Sequence, residues 1–163
     1  MRQVIGFHNP EEEYGFLSNW YLSDFQIDHV MYSSMEQYMM HRKAVLFHDS
    51  EIAEQILNTN QVGAIKALGR SVRHYEEHIW SGCRQIIVYR GLIEKFMQNP
   101  ALQEALLATG DAMLAECAVQ DRIWGIGLSM KDERRFDVRE WRGQNLLGYA
   151  LMEARKVIGN SGG

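Results

Sequence analysis

The apolar positions of this chain recur at helical spacing over most of its length, and one stretch breaks the usual separation of faces. Ser33 to Phe47 reads Ser-Ser-Met-Glu-Gln-Tyr-Met-Met-His-Arg-Lys-Ala-Val-Leu-Phe. It opens with Ser33-x-x-Glu36, the spacing at which a Ser caps the amide of the Glu and the Glu reaches back to the Ser. No Pro or Gly follows, so the pattern predicts a helix of roughly three to four turns. At about 100° per residue, one arc gathers Met35, Met39, Met40, Leu46 and Phe47, with Glu36 and Lys43 in its middle.

Upstream, Val4-Ile5-Gly6-Phe7, Asn9-Pro10 and the run from Tyr14 to Tyr21 mix β-branched and aromatic residues with turn formers. That mixture predicts short strands and turns before the helix. Downstream, Asp49 or Ser50 caps a helix through Ile52, Ile56 and Leu57, and another over Val62 to Leu68 stops at Gly69 with Lys66 in its last turn. Tyr75 to Gln98 carries the longest helical pattern, with Trp80, Arg84, Ile87, Gly91 and Glu94 on one side. Asn99-Pro100 starts the next helix, and Thr109-Gly110 ends it.

Asp111 restarts a short helix carrying Met113, Leu114 and Glu116, after which Ile123 and Trp124 read as strand. Met130 to Arg142 alternates in charge and reads as an exposed excursion. A last helix begins near Asn145 and carries Leu147, Gly148, Leu151, Met152 and Arg155, ahead of a frayed tail from 159 to 163. The expected fold is mostly α, an α+β chain with a few short strands, as one domain over residues 1–158.

Composition narrows the function. At 163 residues, without repeat or linker, the chain can bury one core. A formal charge of -4 opposes broad binding to nucleic acid or anionic membrane while allowing a local basic pocket. Cys83 and Cys117 lie far apart in no metal-like spacing, which suits buried thiols in a reducing compartment. Six His are scattered without a ligand pattern, so no metal is expected. Nothing resembles a signal peptide or membrane span, and a soluble, cytoplasmic domain is expected.

Several residues then stand out chemically. Glu36 and Lys43 in an apolar arc are either a capping carboxylate and a snorkelling ammonium, or a pair held ready in a cleft. Asn19, between aromatics, offers a fixed amide or simply forms a turn. Arg70 and Arg73 follow a helix end, where they are phosphate ligands or surface charge. Trp80 and Arg84, one helical turn apart, are core and neighbour, or a stacking and phosphate pair. Asp121 precedes Trp124 and two glycines, Gly125 and Gly127, that allow close backbone approach; the Asp is a base, a ribose-hydroxyl acceptor or an ordinary turn residue. Arg155 shares a helix face with Gly148 and Met152.

Taken in order, these motifs resemble the NADAR/YbiA-like N-glycosidase family along nearly the whole chain. They are Tyr14 to Trp20, Ser34-Met35-Glu36-Gln37-Tyr38 with Lys43-Ala44, Leu68-Gly69-Arg70, and Trp80 with Arg84. Lys95-Phe96 through Asn99-Pro100, Leu106 to Gly110, Glu116, Asp121 to Gly127 and Asn145 to Met152 complete the series. The resemblance implies a mostly helical fold and metal-independent hydrolysis, without cofactor, of a bond between a base nitrogen and ribose carbon 1. It makes Glu36 the essential carboxylate and puts Lys43, Trp80, Asp121 and Trp124 at the pocket. Two departures bear on the substrate: Gln37 stands where many members have His, and Leu128 to Gly143 is longer than in compact bacterial members.

The expected catalytic set is therefore Glu36, Lys43 and Asp121, with Asn19, Arg70, Trp80, Arg84, Trp124, Gly125 and Arg155 binding substrate. The expected partner is a ribose-containing nucleotide or ADP-ribose conjugate, extending to ADP-ribosylated nucleic acid, and no membrane. ADP-ribosylated guanine leads. Phosphoribosylated aminopyrimidine intermediates of riboflavin synthesis come second, and a non-catalytic module binding ADP-ribose or nicotinamide dinucleotide third.

Overall fold

The computed structural model describes residues 2–161. Among them are six α-helices, four short strands and three 3₁₀ turns. The described chain divides into two units, one from Leu22 to Asn99 and one from the residues up to Tyr21 together with those from Pro100 onward. None of the described helices is long and apolar enough to cross a membrane.

The Leu22–Asn99 unit begins with a hairpin of two strands, Leu22–Ile27 and Val30–Ser34. They are joined by Asp28 and His29, both at positive φ (52° and 68°). Two left-handed residues in a two-residue loop make the turn whose twist matches that of paired strands. The hairpin sets Phe25 opposite Tyr32, and the ring of Tyr38 meets both, 6.0 and 5.2 Å between centroids. The strands and helices of the whole chain are numbered in order: β1 Val4–Phe7, β2 Leu22–Ile27, β3 Val30–Ser34, β4 Met113–Glu116. The helices are α1 Met35–Leu46, α2 Ser50–Leu57, α3 Val62–Arg70, α4 Glu77–Met97, α5 Pro100–Ala108 and α6 Leu146–Ser161.

Helix α1 is the centre of its unit. Met35, Glu36, Gln37, Tyr38, Met39, Met40, His41 and Ala44 are all buried, so its first two turns are covered around the whole circumference. The expected one-sided arc is thus too narrow, and Leu46, expected inside it, is 36% exposed. The cap also differs from expectation by one residue. Ser34 Oγ accepts the amide of Gln37 at 3.1 Å, while Gln37 Oε1 accepts the amide of Ser33 at 2.7 Å. The other end of the Gln37 amide donates to the carbonyls of Ile56 and Thr59. The departure at Gln37 therefore falls on a structural junction.

Two glycines let α1 lie close to its neighbours. A Cβ on Gly91 of α4 would stand 2.5 Å from the Tyr38 ring, and one on Gly69 of α3 would stand 1.9 Å from Met40 Sδ. Gly69 does not end α3 as expected; the helix runs on to Arg70, because the glycine serves packing rather than termination. Asp49 caps α2 as expected, accepting from Ile52 at 3.2 Å, and also holds the backbone amide and guanidinium of Arg73. Asn99, expected to cap α5, turns its side-chain amide to the carbonyls of Lys95 and Asp24.

In the other unit β1 pairs in parallel with β4, Val4 opposite Met113 through Phe7 opposite Glu116. The helix expected at Met113 to Glu116 is therefore this strand, its Leu114 and Ala115 buried. Helix α6 is pinned to β4 by Asn145, itself fully buried and left-handed (φ 52°): its Nδ2 donates to Leu114 O and its Oδ1 accepts from Glu116 N. Gly148 then lies where a Cβ would stand 2.1 Å from Leu114 O, as the sequence suggested for tight packing. Residues 121 to 128 form an irregular loop rather than the expected strand, strapped by Ile126 N to Glu116 O and Arg142 N to Ile126 O. Gly159 to Ser161, expected in a frayed tail, continue α6, and 162–163 lie outside the described residues.

Candidate active site

Helix α1 sets a buried carboxylate and a half-buried ammonium in the Leu22–Asn99 unit. Glu36 is 5% exposed, and the cap that explained it locally is built by Ser34 and Gln37 instead. Lys43, two turns on, donates from Nζ to Gly69 O at 2.8 Å. The same ammonium lies 4.6 Å from the ring centre of Tyr75 and 5.9 Å from that of Trp80. Burial holds the Lys43 pKa below its ordinary value; Glu77 and then Glu36 oppose that shift, and Arg70 adds to it. An ammonium fixed by one carbonyl and two ring faces keeps its charge and its place.

Helix α4 carries the next pair. Trp80 is 5% exposed and forms a wall beside Lys43 rather than an open platform. Arg84, one turn later, is 7% exposed, and its Nε finds no hydrogen-bond partner. Its nearest carboxylate is Glu77 Oε1, 3.7 Å from Nη1, a separation beyond hydrogen bonding. A buried donor without a partner costs about 1–3 kcal/mol, so native structures keep few of them. Arg70 ends α3 and is exposed. Arg73, weighed with it as a phosphate ligand, is taken by Asp49 and Glu51 at 2.9 and 3.3 Å.

The second unit holds the remaining expected residues. Asn19 is 6% exposed and its Oδ1 is a buried acceptor with no hydrogen-bond partner. Asp121 does turn work: Oδ1 accepts from the amides of Ile123 and Trp124 at 2.9 and 2.8 Å. Trp124 is half-buried, and Gly125 is buried where a Cβ would stand 2.8 Å from Glu116 O. Arg155 parts company with them. It follows Asn145 by about ten residues, roughly 15 Å along α6, and lines a separate concavity of about 650 Å³ with Arg2, Asp111 and Lys156. There it donates to Thr109 Oγ1 at 2.9 Å.

The charged excursion from Met130 to Arg142 pairs with itself: Arg134 with Asp132 at 2.6 Å and Arg139 with Asp137 at 2.8 Å. It offers less positive charge than its count of arginines implied. Sequence reasoning passed over Tyr75 and Glu77, which stand against Lys43 and Arg84. The signal was there in the spacing, since Glu77 and Arg84 are seven apart on one helix and so share a face.

This arrangement sits on the fold of the NADAR domain family, whose model matches residues 6–159, and the chain belongs to that family. It is 42% identical to an N-glycosidase of Acanthamoeba polyphaga mimivirus, over 77% of this chain and 74% of that one. It is 31% identical to a riboflavin biosynthesis protein of Vibrio vulnificus over 97% of this chain, which spans 39% of that protein. The solution structure of Escherichia coli YbiA matches 99% of this chain and 88% of that one, with a TM-score of 0.82 at 26% identity.

Proposed function

We propose that this chain is an N-glycosidase that hydrolyses the bond between a base nitrogen and ribose carbon 1 in ADP-ribose conjugates, ADP-ribosylated guanine being the substrate. The observation that carries the reading is the buried carboxylate of Glu36 on the same helix face as a fixed ammonium, Lys43. The similarity to a protein named as an N-glycosidase supports it.

Cleavage of such a bond passes through an oxocarbenium-like state, with positive charge spread over ribose carbon 1 and the ring oxygen. The electron pair of the carbon–nitrogen bond leaves with the base. Water supplies hydroxide to carbon 1, and its remaining proton ends on the base. Glu36 faces the growing positive charge in an interior of low polarity, where a carboxylate is worth far more than in water. The same carboxylate takes that proton from the attacking water and passes it on to the departing base. Lys43 orients Glu36 and binds a ribose hydroxyl or phosphate oxygen. Arg84, a guanidinium with donors to spare, binds phosphate in a forked geometry, with Arg70 at the rim.

The self-paired arginines of the 132–139 segment favour a nucleotide conjugate over a duplex, which asks for a broad basic face. Two unpaired thiols, Cys83 and Cys117, fit a reducing cytoplasm. The second substrate reading, a phosphoribosylated aminopyrimidine, draws support from the riboflavin biosynthesis protein among the relatives. Incubation with ADP-ribosylated guanosine nucleotide and, separately, with the aminopyrimidine ribotide decides between them. Base release from the first alone is the expected result. Release from the second alone moves the assignment, and tight ADP-ribose binding without release from either identifies a binding module.

A further inference from the structure

Glu77 is the first residue of α4, and its carboxylate bears on three groups of the candidate site. Oε2 accepts a hydrogen bond from the Tyr75 hydroxyl. Oε1 lies 3.7 Å from Nη1 of the buried Arg84. Of the charges acting on Lys43, Glu77 is the strongest that favours the ammonium, ahead of Glu36. Yet the Glu77 side chain is 67% exposed, while that of Arg84 is 9% exposed. One surface carboxylate thus faces two cations.

The balance is incomplete. Arg84 Nε has no hydrogen-bond partner, and the Glu77 contact is too long to be a hydrogen bond. Phosphate has more acceptor oxygens than a carboxylate and binds a guanidinium fork in two places, so it satisfies what Glu77 leaves open. The start of α4 also favours negative charge, by its helix dipole, whichever anion stands there. Tyr75 is 39% exposed and its hydroxyl fixes Glu77 from outside.

We propose that Glu77, held by Tyr75, is a placeholder anion: it occupies the position that a phosphate of the ligand takes beside Arg84, and must yield to it. This inference rests on the reading of Arg84 as a phosphate contact. It makes Glu77 an affinity-setting residue, because a phosphate-bearing ligand must displace it while a ligand without phosphate leaves it in place. Its removal strengthens binding, the opposite of the usual effect of losing a site residue.

The test measures dissociation constants of ADP-ribose and of adenosine by calorimetry, using the full chain, Glu77→Gln and Tyr75→Phe. Wild type binding ADP-ribose at least about tenfold more tightly than adenosine is the mark of a phosphate contact; equal affinities, or no ADP-ribose binding, defeat that reading and the inference with it. Given the preference, Glu77→Gln tightens ADP-ribose about fivefold, the scale of one competing screened ion pair, and leaves adenosine unchanged. Tyr75→Phe moves in the same direction by less, since it unfastens the carboxylate without deleting it. ADP-ribose affinity unchanged or weakened in Glu77→Gln overturns the placeholder role while the phosphate contact stands.

Discussion

Lys43 Nζ donates to the carbonyl of Gly69 at 2.8 Å, tying an ammonium on α1 to the last turn of α3. The geometry depends on Gly69 itself, because Met40 on α1 fills the space where any side chain would begin. A half-buried cation placed this way is a fixed feature of the unit, and its protonation becomes a measurable quantity.

Burial lowers the Lys43 pKa from its ordinary 10.5, so the ammonium is lost as pH rises through a value below that. The alkaline limb of kcat/KM is therefore expected below the usual lysine range. Lys43→Met is expected to reduce kcat/KM by about 10²-fold, the scale of removing one placed electrostatic contact, and to abolish that limb. A variant that loses melting temperature but keeps rate and limb makes Lys43 a structural residue.

Glycine substitutions separate packing from propensity. Gly69→Ala drives a methyl to within 1.9 Å of Met40 Sδ and is expected to destabilise by about 1–3 kcal/mol in urea titration. Gly82, on α4, has nothing within 4 Å of its missing Cβ. Gly82→Ala is expected to stabilise by about 0.5–1 kcal/mol, the helix preference of Ala over Gly.

Much of this packing was legible in the chain and some was not. The helices α2 and α4 and the cap at Asp49 follow from spacing and end signals alone. The one-residue slip of the α1 cap arose because Ser33 and Ser34 are adjacent and Glu36 and Gln37 are adjacent, so two capping frames fit. Gly69 reads as a stop because the sequence shows the glycine and not the Met40 side chain packed against it. Met113 to Glu116 reads as helix locally, and becomes strand because β1, over a hundred residues away, pairs with it. Among the site residues, Glu36, Lys43 and Arg84 were visible as charges at buried spacing. Glu77 was hidden among four charged or polar residues at the start of a helix, and Arg155 looked equivalent to Trp124 and Gly125 until α6 carried it to the concavity with Arg2 and Asp111.

Lys95 is fully buried on α4, and burial pushes its pKa down to about 7. Below about 7 it is protonated in both folded and unfolded chains; between there and 10.5 only the unfolded chain holds the proton. Unfolding then takes up a proton, so the Lys95 contribution makes stability rise with pH across that window. Urea midpoints at pH 7 and pH 9.5 are expected to differ in wild type and to converge in Lys95→Met.

Asp49 behaves in the opposite sense. The Arg73 guanidinium and backbone amide hold its carboxyl well below the usual carboxylate range. Its stabilising effect is present above the unfolded value near 4 and is lost as pH falls further through the folded one. Asp49→Asn is expected to be less stable than wild type at neutral pH, and to show a shallower decline in acid, in melts recorded from pH 7 down to pH 2.

The central claim is tested most directly by single-turnover base release from ADP-ribosylated guanosine nucleotide with Glu36→Gln. The account predicts turnover lower by about 10²-fold or more, with ADP-ribose still bound within about twofold of wild type and the melting temperature held. Release at close to the wild-type rate contradicts it.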